Sequence, residues 1–333
     1  MTPREGGGQW LEVALLEHPS EAERKATLER YARLLSALGD ELGERPLVLP
    51  NAKSFPDRFT PDAVGLSTLV GCMLRHAGLD DVPVTARLVE ETPPEGPHGA
   101  CSSGCQVPAA TSAATPRLVE DGPGGGWTLN VPAHELGHPV VLTTMIARAL
   151  GHVLLVEALP VGTRVEAPAD LTADHAAVAL GFGPLLLEGA YVYSKSCGGP
   201  QVAQVTRATL GELAWTTALF IEMGRHSGRR ALAELGATQR AALGEELEWA
   251  RSNESIVDRL RSEPDRVAVG DYTLREPRPW LLRVLGGKSK EGAPVPKTSH
   301  APAPRPAVRV DPAHAELRAL VDEALAGSPI DAE

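Results

Sequence analysis

Aromatic side chains are scarce, at 4% of 333 residues. A platform that stacks single-stranded bases needs several of them close together, so that class of binder is disfavoured. Positive charge is also short. Lys and Arg number 32 against 43 Asp and Glu, a formal net charge of −11. Phosphate backbones are held by clustered Lys and Arg, so a general nucleic-acid binder is excluded. Cysteine occurs only 4 times, too few to make a disulfide framework in a chain this long. The opening MTPREGGG lacks the apolar run of a secretory signal, and the expectation is a cytoplasmic protein. No segment repeats another. Hydrophobic residues, by contrast, make up 43% of the chain, enough to fill the core of one large domain or two small ones.

The most apolar stretch starts just after His134-Glu135-Leu136-Gly137-His138, the one HExxH string in the sequence. In a zinc peptidase, two imidazoles four residues apart on one continuous helix aim at one cation. The Glu between them polarises a bound water. Here Pro139 follows the second His directly. A residue before proline is pushed away from helical dihedrals, and proline is favoured at the first helical position. The spacing therefore predicts a helix from Pro139 to about Ala158, with His134 and His138 on its lead-in. Val140, Leu142, Met145, Ile146, Leu150, Val153 and Leu154 cover nearly every side of that helix, which marks it as buried and central. Arg148, His152 and Glu157 inside it, and Pro139 and Pro160 at its ends, argue against a membrane span.

Towards its end the same helix carries Arg148-Ala149-Leu150-Gly151-His152, the register of HExxH with Arg in place of the first His and Ala in place of the Glu. Asp170, Asp174 and Gly181-Phe182-Gly183 follow. This segment resembles an uncharacterised bacterial family of predicted zincin-like proteins. In that family a short lead-in precedes a helix ending in HELGH, and an E-x-x-x-D-L segment and a G-x-G come after it. Gly137-His138-Pro139 matches the lead-in, Arg148 to His152 the metal helix, and Asp170 and Asp174 the acidic pair. The likeness extends more weakly over about residues 55–285. It implies a degenerate member: Arg148 and Ala149 remove one ligand and the general base, and the literal HELGH lies upstream of the metal position. It also implies that the third ligand of such a site comes from the helix carrying Asp170 and Asp174. Arg148 is expected to pair with one of these carboxylates, a guanidinium in the place of the metal cation.

Three functional readings stay open. The first is a non-catalytic structural or regulatory protein on a zincin-like scaffold, with a vestigial pocket of Arg148, His152, Asp170 and Asp174. The second is an active zinc peptidase, with His134 and His138 as ligands, Glu135 as general base, and Glu157 or Glu166 as third ligand. The third is a small zinc-site adaptor using His98, Cys101, Cys105 and Cys197. Zinc is the one cofactor any of them takes.

The rest of the chain frames a single globular domain over 10–285, after a disordered 1–9. Ser20-Glu21-Ala22-Glu23 is a capping box opening a helix that ends near Gly39. Residues 46–50 read as a short strand. Thr60 and Pro61 open a second helix, and 82–90 and 127–131 read as strands. Residues 92–126, rich in Pro, Gly and Ser, read as an insertion. Thr172 caps a second buried helix, which Gly181, Gly183 and Pro184 break. Thr209-Leu210-Gly211-Glu212 is another capping box, and further helices open at Thr238 and at Ser252-Asn253. A last strand falls at 272–274. A Pro/Ala-rich linker over 286–310 leads to an amphipathic helix at 311–327, which offers its apolar stripe to its own domain or to a protein partner. The fold class is α+β: a few short strands, then a mostly helical zincin-like body around one central buried helix.

Overall fold

A computed structural model describes residues 19–39, 45–55, 58–90, 118–121, 125–159, 169–196 and 199–277. All of them fall in the unit Met1–Pro279. The linker at 286–310, the helix at 311–327, most of the insertion at 92–126, and His98, Cys101, Cys105, Glu166 and Cys197 lie outside the described residues.

Helix α1, Glu21–Leu38, starts where its capping box places it: Ser20 Oγ accepts from Glu23 N–H (3.3 Å), and the Glu23 carboxylate accepts from Ser20 N–H (2.7 Å). Helix α2 is Ala63–Ala77. Its cap is Asp62 rather than Thr60, since Asp62 Oδ1 is the atom that accepts from Gly65 N–H (2.7 Å). Strands β1 (Val84–Val89), β2 (Leu118–Glu120) and β3 (Trp127–Pro132) form one sheet in the order β1-β3-β2, with β1–β3 parallel and β2–β3 antiparallel.

Strand β3 delivers the chain into α3, Pro139–Ala158. This helix is 20 residues long and has Pro at its start. It is the one described helix long and apolar enough to cross a membrane, yet 67% of its most apolar window is buried inside the protein. Helix α4 (Ala169–Ala177) packs along it, so Thr172 sits within that helix instead of capping it. A wider π-type turn, Val178–Phe182, separates α4 from α5, Gly183–Ala190. The break falls at Gly181, whose φ of +93° suits a residue without Cβ.

Residues 46–50 form no strand, because Val48 N–H is spent on the Gly181 carbonyl at 3.0 Å and not on a neighbouring ladder. A hairpin not expected from sequence follows, β4 (Val192–Ser196) with β5 (Gly199–Ala203). Helices α6 (Leu210–Met223), α7 (Gly228–Glu234), α8 (Ala237–Ser252), α9 (Glu254–Ser262) and α10 (Pro264–Ala268) complete the body. Residues 272–274 are not a strand either; the amide that follows them, Arg275 N–H, is taken by Asn253 Oδ1 at 2.8 Å. The fold is α+β, mostly helical with a small three-stranded sheet. Trp215, Phe182, Phe220, Tyr31, Leu142 and Ile146 are among the largest buried side chains.

Candidate functional site

The HELGH string occupies a 3-10 turn, Ala133–Gly137, and not a helix. His138 ends that turn at φ −121° and ψ 81° and serves as the N-cap residue of α3. A 3-10 turn has about three residues per turn, and this one ends at the non-helical dihedrals of His138, so the α-helical i, i+4 register that would stack the two imidazoles is absent. Glu135 is buried while His134 is exposed. Glu157 lies near the far end of α3, where its Oε1 accepts from the Trp127 indole N–H at 2.8 Å. A helix rises 1.5 Å per residue, which places Glu157 about 28 Å along the axis from His138. The two histidines and Glu157 are therefore not a ligand set in this structure. Among the described residues no group of three His, Cys, Asp or Glu side chains is placed to hold a metal ion.

The downstream set behaves differently. Arg148 and His152 are one turn apart on α3; Asp170 and Asp174 are one turn apart on α4, which packs against it. Arg148 Nε donates to Asp174 Oδ1 at 2.5 Å, with the two side chains 1% and 0% exposed. This is the pairing expected of Arg148, with Asp174 as the carboxylate taken. Asp174 Oδ2 accepts two backbone amides, Arg207 N–H at 2.6 Å and Ala208 N–H at 2.8 Å. Arg148 Nη1 donates to the Val205 carbonyl at 2.9 Å.

Burial raises the Asp174 carboxyl above its ordinary range, and the Arg148 guanidinium and the amides of Ala208 and Arg207 offset that only in part. Each of these contacts brings a donor to the carboxylate, so the surroundings suit the ionised form. Both oxygens are engaged, and a fixed cation stands beside them, so a metal ion would have to displace the guanidinium.

His152 and Asp170 sit further along the same interface. Burial lowers the His152 imidazole, and Asp170 works in the opposite direction. Its ring meets the Trp127 ring edge to face, with centroids 6.0 Å apart. Asp170 faces Arg207, Nε to Oδ2, at 3.9 Å. At Gly151 the backbones of α3 and α4 come into close contact: an added Cβ would stand 2.2 Å from the Ala173 carbonyl oxygen. The loop that closes the pair, residues 204–208, contributes only backbone groups to it. No side-chain pattern marks that contribution in the sequence.

A second buried polar pair was not signalled either. His175 on α4 and Tyr31 on α1 are 1% and 0% exposed, ring edge to ring face at 6.4 Å. Neither ring nitrogen of His175 nor the Tyr31 hydroxyl has a hydrogen-bond partner among the described residues. Burial pushes the His175 imidazole down to about 4, against an upward pull from Glu212.

Compared with known proteins, the chain matches no family model, no curated protein and no solved structure.

Proposed function

We propose that this protein is a non-catalytic structural or regulatory binding protein on a zincin-like scaffold, a pseudo-metallopeptidase. One observation carries the reading: the buried ion pair of Arg148 with Asp174, closed by the amides of Arg207 and Ala208. In the zincin-like pattern the position of Arg148 belongs to a metal-binding His, and that of Ala149 to the general base. Metal-assisted hydrolysis needs a cation with an open position and a carboxylate to activate water. At these two positions the chain has a guanidinium and a methyl group. The positive charge is kept, which preserves the electrostatics of the buried pocket, while the Lewis acid is given up. On the same reading the protein works in the cytoplasm, with α3 as a core helix.

The test is metal content together with a broad peptidase assay on three forms of the full chain: wild type, Glu135→Gln, and the double variant Arg148→His, Ala149→Glu. Circular dichroism checks that each is folded. The expected result is no zinc-dependent cleavage by wild type and a gain of bound zinc in the double variant. Zinc-dependent cleavage by wild type that Glu135→Gln abolishes would establish a peptidase centred on the upstream HELGH. Stoichiometric zinc in wild type that Cys101→Ser removes would establish the adaptor. A folded double variant that gains no zinc would remove the zincin-like register from Arg148 to His152.

A further inference from the structure

A trough of about 650 Å3 opens between α2, the first turn of α3, α5 and residues 50–55 and 58–60. Small-molecule sites occupy about 300–1,000 Å3, are mostly apolar, and carry a few placed polar groups. This trough has that make-up. Leu142, Leu185 and Cys72 are buried beneath it, and Phe55, Leu69 and Val140 line it as well. Val64 and Phe59 line it too, 73% and 36% exposed. Large apolar side chains left in water around a concavity are characteristic of a surface that something covers.

The polar groups of the lining are mostly engaged within the protein. Thr68 Oγ1 donates to the Val64 carbonyl at 2.9 Å, and Thr143 Oγ1 to the Pro139 carbonyl at 2.8 Å. Asn51 is used at both ends: its Oδ1 accepts from Lys53 N–H at 3.1 Å, and its Nδ2 donates to Glu234 at 3.0 Å. The Cys72 thiol donates to the Ser54 carbonyl at 3.5 Å.

Glu188, at the end of α5, is different. Its Oε1 accepts the Gly236 amide at 2.8 Å, at the start of α8, which fixes the carboxylate in place. Its other oxygen has no hydrogen bond among the described residues. Arg58, the one cation of the lining among the described residues, is exposed, so water and salt screen it. Glu188 is half-buried beside carbon, where a charge interacts more strongly.

From this arrangement we infer that the trough is a binding site for an amphipathic amine: an apolar body along Val140, Leu142 and Leu69, and an ammonium on the open oxygen of Glu188. None of these residues belongs to the Arg148–Asp174 pair, so the site stands whether or not the protein is a pseudo-metallopeptidase.

Calorimetric titration of the full chain tests it, with n-decylamine, n-decanol and n-decanoate below their micelle-forming concentrations. Decylamine should bind wild type at least about tenfold more tightly than the other two, a difference of about 1.4 kcal/mol. Glu188→Gln keeps an acceptor for the Gly236 amide but loses the charge, and should bring decylamine down to the level of decanol. Val140→Trp fills the trough from a partly exposed position and should abolish binding of all three while leaving the melting temperature near wild type. Equal affinity for the three ligands, preference for decanoate, no binding at all, or binding untouched by Val140→Trp would each overturn the assignment.

Discussion

Gly151 of α3 lies against the carbonyl of Ala173 of α4, leaving no space for a methyl group: a Cβ at residue 151 would stand 2.2 Å from that oxygen and 2.8 Å from the Ala177 nitrogen. Both obstacles are backbone, so relief requires the two helices to separate. Arg148 and Asp174 face each other across the same interface, and their separation depends on this close approach. Gly151→Ala should destabilise the protein by about 3 kcal/mol, at the upper end of ordinary overpacking. Gly244→Ala is the control. It lies within α8, where an added Cβ would meet only a Leu232 methyl among the described residues outside its own helix turn, at 3.9 Å, and should stabilise by up to about 1 kcal/mol through helix propensity. Urea melts of the two variants should move in opposite directions. A Gly151→Ala variant as stable as wild type would mean the helices are not in backbone contact.

The Arg148–Asp174 pair should show strong coupling. Removing one partner of a buried ion pair costs roughly 3–5 kcal/mol, because the other charge is left uncompensated. Asp174→Asn and Arg148→Met should each fall in that range. The double variant should be more stable than the sum of the two losses implies, by over about 1 kcal/mol, since neither charge is then stranded. It should not return to wild type, because Asp174 also holds the amides of Arg207 and Ala208. Chemical denaturation of the four proteins gives the cycle; additive losses would show that the two groups do not interact.

Where covalent or nearest-neighbour constraints act, the sequence was informative. Pro139 sets the start of α3 because the ring restricts its own dihedral and that of His138, whatever packs around it. The capping boxes at Ser20 and Thr209 open α1 and α6 because both partners lie within four residues of each other. The pairing of Arg148 was legible only to the level of two candidate acids. Asp174 is singled out by amides from residues 204–208, and backbone groups leave no trace in composition. The same reason hides the fate of residues 46–50, whose ladder amide goes to the kink at Gly181. The β4–β5 hairpin is hidden differently: the apolar run from 185 to 193 continues across the end of α5 at Ala190, and the single Gly189 inside it is too weak a breaker to mark the change of backbone by itself. The trough at Glu188 draws on distant segments, and none of its residue types stands out alone.

His175, packed edge to face against Tyr31, makes the interior sensitive to acid. The folded imidazole is held neutral, its pKa pushed down to about 4 by burial, against an ordinary 6.5. In the unfolded chain the same ring takes up a proton as the pH falls through 6.5. Between those two values the unfolded state binds more protons, so stability rises with pH and is lost on acidification. The contribution of one such group is at most about 1.4 kcal/mol per pH unit. Below about 4 the folded ring is protonated too, and its share of the slope disappears. His152 and His226, both lowered by burial, act in the same direction and must be subtracted. The measurement is therefore a difference: urea stability at several pH values between 4 and 7 for wild type and for His175→Leu. Wild type should lose stability faster with acid, and the two curves should run parallel above pH 7. Parallel curves across the whole range would mean that His175 is solvated in the folded protein and that the closed packing of α1 on α4 around Tyr31 is not its ground state.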